Sequence, residues 1–82
     1  MRLVYFASLR ERIGKSAEEA DVPETVRTLA ELIAWLSQRD EAYAATFSQA
    51  VVRAAIDRKH AKPEASIVGA REIAFFPPMT GG

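Results

Sequence analysis

The residues best placed to do chemistry are the last eight, Phe75-Phe76-Pro77-Pro78-Met79-Thr80-Gly81-Gly82. The two aromatics read as the end of a strand. Each proline ring fixes φ and removes a backbone donor, so Pro77 and Pro78 end the hydrogen-bonded ladder and set an extended exit path. At about 3.3–3.6 Å per extended residue, Met79 to Gly82 carry a terminal carboxylate about 13–14 Å beyond Pro78. Glycine has no Cβ, so Gly81 and Gly82 form the thinnest peptide available, able to enter a narrow tunnel in another protein and offer the carboxylate there as a reactant. A frayed terminus has the same Gly-Gly composition. The Phe-Phe-Pro-Pro run favours delivery, because it anchors the tail in a strand and stiffens its exit.

The remaining polar clusters read as surface. Glu18, Glu19 and Asp21 lie on a weak edge strand with no neighbouring base or metal-ligand spacing, and read as solubility and edge protection. His60, the single histidine, falls in a turn and reads as surface. No catalytic triad, phosphate loop or metal site is present in the pattern, so no activity is expected of the domain alone.

At 82 residues the chain forms one small domain, and 49% hydrophobic residues suffice for a packed core. Eleven basic and eleven acidic residues give zero formal charge, which argues against a nucleic-acid partner. No apolar run approaches membrane-spanning length, and Met1-Arg2 leads straight into a strand rather than a signal peptide. There is no cysteine, which fits a cytoplasmic protein and removes thiolate-metal and persulfide chemistry.

The elements that must hold the tail are legible from periodicity. Arg2 to Ala7 reads as a central strand, with Leu3 and Tyr5 on one face and Val4 and Phe6 on the other. Ser8 to Glu11 has capping-box spacing and opens a turn or two of helix from Leu9 to about Ile13, with Gly14 at its end. Lys15 to Val22 reads as the edge strand, stopped by Pro23. Thr28 to Glu31 is a second capping box. It opens a helix to about Arg39 whose Leu29, Leu32, Ile33 and Leu36 form one stripe, with Trp35 partly buried beside it. A short helix follows over Glu41 to Phe47, with Tyr43 and Phe47 one turn apart. Val51 to Asp57 reads as a strand, Asp57 to His60 as a turn, Lys62 to Ala65 as loop and Ile67-Val68 as a brief strand or turn. Gly69 permits a bend before the last strand, Glu72 to Phe76.

A first and last strand that are apolar on both faces belong side by side at the sheet centre. One face takes the helix stripe on Leu3, Tyr5, Ile73 and Phe75. The other exposes Val4, Phe6, Ala74 and Phe76, with no second layer left to cover them. An uncovered apolar patch of this kind marks a partner site.

This order, ending in Gly-Gly, resembles the ubiquitin-like β-grasp: an α+β fold with a mixed four- to five-stranded sheet and one long helix packed on one face. Within it the chain is similar to the small, sulfur-carrier subunits of molybdopterin synthase. The resemblance rests on Tyr5-Phe6-Ala7-Ser8-Leu9-Arg10-Glu11-Arg12-Ile13-Gly14, on Thr28-Leu29-Ala30-Glu31-Leu32, and on Phe75 to Gly82. Two turns depart from that family: Gly69-Ala70-Arg71-Glu72 stands where Gly-Asp-Glu is usual, and Asp57 where Asn is usual.

The resemblance implies a β-grasp domain over residues 1–78 and a flexible tail over 79–82. It implies that an adenylating enzyme of the ubiquitin-activating type uses ATP to activate the Gly82 carboxylate, and that a sulfur donor converts it to a thiocarboxylate. The large synthase subunit, in a heterotetramer, then takes the tail and binds the product molybdopterin. The small subunit itself binds no cofactor. Pro78, Met79, Thr80 and Gly81 are implied to thread the partner's channel, and Phe6, Phe76, Arg10 and Glu11 to dock. For Arg10 and Glu11 a solvated helix surface is an equal reading. Without cysteine, sulfur can be held covalently only at a carboxyl group, and that of Gly82 is the most accessible. Carriers for a thiazole, a tRNA base or cysteine, a ubiquitin-like modifier, and a docking domain with an inert tail remain alternatives.

Overall fold

A computed structural model describes residues 1–78. Five strands and three helices follow in the order β1 (Arg2–Tyr5), α1 (Ala7–Ile13), β2 (Ala17–Glu19), α2 (Leu29–Arg39), α3 (Glu41–Gln49), β3 (Arg53–Ile56), β4 (Lys59–Ala61) and β5 (Glu72–Phe76). The strands form one mixed sheet in the order β2-β1-β5-β3-β4. β1 and β5 are parallel neighbours at its centre, with Leu3 opposite Ile73 and Tyr5 opposite Phe75. β2 is an edge strand, as its polar sequence requires, and is shorter than the predicted span.

All three helices bury their apolar residues in one cluster with the inward face of the sheet. Leu3, Tyr5, Ile73 and Phe75 meet Leu9 and Ile13 of α1, Leu29, Leu32 and Leu36 of α2 and Tyr43 of α3. Each fully buried apolar side chain of this size contributes about 1.5–3 kcal/mol relative to exposure, so this one interface carries the fold. The capping box of α2 is formed: Thr28 Oγ1 accepts from Glu31 N at 3.2 Å, and Glu31 Oε1 accepts from Thr28 N at 3.0 Å. Trp35 is half-buried beside the stripe, with the Arg39 guanidinium over its ring at 4.7 Å. Gly14 ends α1 at φ 89, and Gly69 makes its bend at φ 79; both are left-handed positions that favour glycine.

Two predicted details are corrected. Ser8 and Glu11 form no capping box. β1 runs into α1 without a linker, Ala7 makes the corner at φ 51, and Phe6 becomes the N-cap with no side-chain cap bond, so Ser8 is already helical. The turn after β3 is shorter than Asp57 to His60: Lys59–Ala61 forms the second strand of a β-hairpin, with Ile56 opposite Lys59 and Ala54 opposite Ala61, and Lys62 to Ala65 is loop, as predicted. The hairpin's Asp57-Arg58 loop has positive φ at both residues (48 and 71), as a twist-matched two-residue hairpin requires, but carries no Gly or Asn signal. Of its two readings Ile67-Val68 takes the turn, closed by Ala70 N donating to Ile67 O at 3.0 Å. An isolated bridge joins Thr28 to Ser66, Ile67 drops into the core, and Val68 is left 73% exposed. Among the described residues no helix is long and apolar enough to cross a membrane.

A non-glycine residue at positive φ costs about 1 kcal/mol, and Arg58 makes no ion pair among the described residues that offsets it. Arg58→Gly creates the favoured Asp-Gly loop and is expected to raise unfolding stability by about 0.5–1 kcal/mol. Urea unfolding of the two proteins side by side checks this. A loss of stability would show that residue 58 does not hold the left-handed conformation.

Candidate functional site

The candidate site is the outward face of the sheet and the point where β5 leaves it. Since every helix spends its apolar stripe on the inward face, Val4 and Ala74 lie on the outward side, as the alternation of β1 and β5 predicts, but half-buried rather than exposed. Phe76, the last residue of β5, is half-buried there, and Pro77 and Pro78 continue from it. Phe6 is 48% exposed at the same end of the sheet, where its backbone N–H donates to Phe75 O at 3.0 Å. The structure thus brings Phe6, Phe76 and Pro78 together around the root of the tail. Arg10 and Glu11 are exposed on α1 and make no side-chain bond to the rest of the described residues. The roles assigned to Met79, Thr80, Gly81 and Gly82 lie outside the described residues.

Two residues that the sequence reading left aside sit beside this root. His60 is exposed on β4 and meets Phe76 edge-on, with ring centroids 5.4 Å apart and planes at 69°. Arg53 pairs directly with Phe76 across the sheet. The signal for His60 was the β3–β4 hairpin, which a turn assignment at Asp57 to His60 hid; Arg53 lies within the strand predicted over Val51 to Asp57, where the sequence assigns it no role. Asp57 has a structural part: its Oδ1 accepts from Arg71 N at 3.0 Å and Glu72 N at 2.9 Å, fixing the start of β5.

The acidic cluster of β2 divides. Glu19 is on the surface, 3.4 Å from the N-terminal amine. Glu18 is not edge protection. Strand alternation turns it to the inward side, where its Oε2 accepts from Tyr5 Oη at 2.7 Å and Tyr43 Oη at 2.5 Å, with Lys15 Nζ 3.5 Å from Oε1. Burial alone would raise the Glu18 carboxyl, but the Tyr43 and Tyr5 hydroxyls and Lys15 outweigh it and hold it below the usual carboxylate range. Tyr5 is pushed up, first by burial and then by the same carboxylate. The network ties the edge strand to β1 and α3 and lies on the helix side, away from the outward face.

A groove of about 600 Å³ opens at the opposite pole, lined in part by Met1, Val22, Val26 and Ile67. It is remote from the tail root, since Met1 and Tyr5 lie at opposite ends of β1. Among the described residues no cluster of three or more His, Asp and Glu side chains is placed to hold a metal. What the site offers is a flat apolar seat with a strand leaving from its rim.

The fold is the ubiquitin-like β-grasp, an α+β domain on a mixed five-stranded sheet. The crystal structure of SAMP1 from Haloferax volcanii superposes with a TM-score of 0.75 at 21% identity, covering 100% of this chain and 98% of that one. The chain belongs to the ThiS family, whose model matches residues 3–82. It is 33% identical over 84 residues to the molybdopterin synthase sulfur carrier subunit of Escherichia coli K12, covering all of this chain and 99% of that protein. The protein of the same name from Mycosarcoma maydis is also 33% identical, over 89 residues and 92% of its length.

Glu18→Gln removes a charged acceptor from two tyrosines and is expected to cost about 1–2 kcal/mol at neutral pH. A depressed carboxyl contributes stability above its unfolded pKa of about 4.3 and loses it as pH falls through the lower folded value. The gap between wild type and variant, followed by thermal unfolding, therefore narrows below pH about 4. A gap that stays constant from neutral to acid pH would remove the carboxylate from this role.

Proposed function

We propose that this chain is the sulfur-carrying small subunit of a molybdopterin synthase, with the Gly82 carboxylate as its reacting group. The observation that carries the reading is the position of Phe76. The central strand of a ThiS-family domain ends there at the rim of an open apolar face, and the sequence continues through two prolines to Gly-Gly. The names of the relatives in Escherichia coli and Mycosarcoma maydis support the pathway.

In this reading a carboxylate oxygen of Gly82 attacks the α-phosphorus of ATP on an adenylating partner, and pyrophosphate leaves. The outer sulfur of a donor persulfide then attacks the acyl carbon, and AMP departs with the C–O bond. A second thiol attacks the donor's inner sulfur of the resulting acyl disulfide, which releases the Gly82 thiocarboxylate and leaves a disulfide behind. The thiocarboxylate is carried to the large subunit, where sulfur passes to the pterin precursor to build the dithiolene of molybdopterin and water restores the carboxylate. Pro78, Met79, Thr80 and Gly81 thread the channel of each partner. Phe6 and Phe76 seat the open face, and Arg10 and Glu11 contact the surface beside it. The large subunit pairs with the carrier as a heterotetramer in the cytoplasm. The carrier supplies position and sulfur, and its partners supply the catalysis.

Intact mass tests the chemistry. Incubation with the cognate adenylating enzyme, ATP and a sulfur source is expected to replace one oxygen by sulfur at Gly82. Conjugates to other proteins would instead identify a modifier, and an unchanged mass a docking domain. Deleting Gly82 is expected to abolish the exchange while leaving the melting temperature within about 1 °C, because surface changes away from packed groups alter stability little. Unfolding on that deletion would make the tail structural and end the proposal.

Docking is tested separately by Phe76→Arg. Truncating or reversing an apolar anchor at an interface centre costs about 2 kcal/mol or more, so affinity for the large subunit should fall at least about thirtyfold. The half-buried position predicts a smaller effect on the monomer. If the variant unfolds while binding per folded molecule is unchanged, Phe76 belongs to the core rather than to the interface.

A further inference from the structure

The outward face of the sheet is three rows of side chains, and their charges are not balanced alike. Farthest from the tail root, the register aligns Glu19, Arg2 and Glu72. This row neutralises itself: the Met1 amine lies 3.4 Å from Glu19, and Arg2 Nε lies 3.5 Å from Glu72. The middle row is Ala17, Val4, Ala74, Ala55 and His60, smooth and apolar up to the imidazole. The third row lies at the tail root and pairs Phe76 with Arg53. Lys62 is exposed and follows directly on the end of β4, beside Ala61, which pairs with Ala54 next to Arg53.

Neither Arg53 nor Lys62 has a carboxylate within ion-pair distance among the described residues. A chain of zero formal charge therefore gathers uncompensated cations on one flank of the tail root, with the exposed ring of Phe6 on the β1 side. Lysine is common on edge strands, where it discourages sheet-to-sheet pairing. That accounts for a cation at the end of β4. It does not account for Arg53, which sits on the interior strand β3.

We propose that Arg53 and Lys62 are specificity-determining docking residues that read carboxylates on the rim of the partner channel receiving the tail. The occupant of the open face is thus a protein surface with an apolar seat for Phe6 and Phe76 and an acidic rim on the β3–β4 flank only. One-sided charge fixes orientation: a flat apolar face can seat in several rotations, but one brings both cations to the acidic rim and aims the tail down the channel. Rim charges act chiefly on association rate and its salt dependence, while the buried aromatics hold the complex.

The inference rests on the carrier reading, and the test separates the two. Association of the large synthase subunit with the carrier is followed by stopped-flow fluorescence in about 25 mM and about 300 mM NaCl, which shortens the screening length from about 20 Å to about 6 Å. For the wild type the rate is expected to fall at least about tenfold with salt. Arg53→Glu/Lys62→Glu should bind at least about tenfold more slowly at low salt and lose most of the salt dependence. Arg53→Gln/Lys62→Gln should fall between and serves if the charge reversal unfolds the domain. Arg27→Glu, at the groove of the opposite pole, should match the wild type. A wild-type rate that ignores salt, or a double variant with the wild-type rate and salt response, overturns the inference. If the wild type never gains sulfur at Gly82, the carrier reading fails instead.

Discussion

The structure depends on one pairing, the parallel contact of β1 with β5. Parallel neighbours cannot be joined by a tight turn, so the whole chain between Tyr5 and Glu72 acts as the connection. That connection supplies every helix and both edges of the sheet. The pairing is fixed from both ends: Arg2 N donates to Arg71 O at 3.0 Å, and Phe6 N donates to Phe75 O at 3.0 Å. Between them the Tyr5 and Phe75 rings stack at 5.7 Å with planes 12° apart, and Phe47 of α3 meets Phe75 edge-on at 5.2 Å. A one-residue slip of β5 would turn Ile73 and Phe75 outward and Ala74 and Phe76 inward. The aromatic core therefore sets the register, and the register sets which residue stands at the rim when the chain leaves.

Much of this was legible in the sequence because it follows from short-range rules. Alternation assigned the two faces of β1 and β5, and the 3.6-residue stripe found Leu29, Leu32 and Leu36. The Thr28–Glu31 box located a helix start to the residue. The features that were not legible depend on partners distant in the chain. Ser8 and Glu11 had the spacing of a cap, but the immediate turn from β1 into α1 left no room for one. Lys59-His60-Ala61 has no strand signal, and is a strand because Ala54 to Ile56 offers it a ladder. Glu18 looked like its surface neighbours until the fold set it between the hydroxyls of Tyr5 and Tyr43.

The hairpin loop after β3 and the turn before β5 are in contact with each other. Asp57 bonds the backbone of Arg71 and Glu72, so the hairpin loop and the entry to β5 form one joint. A carboxylate there accepts two backbone donors at once, which offsets part of the cost of positive φ at Asp57 and Arg58. This joint fixes the start of β5, and with it the register in which the strand arrives at Phe76.

The open face must satisfy two opposed demands. A sheet surface left apolar invites aggregation, yet a surface made polar would give a partner nothing to bury. The middle row resolves the conflict with small side chains: Ala17, Val4, Ala74 and Ala55 present little area singly and lie flat enough to be covered in one step. The larger rings, Phe6 and Phe76, are confined to the end where the tail leaves. In the proposed reading, the docking area and the point where β5 leaves the sheet then coincide.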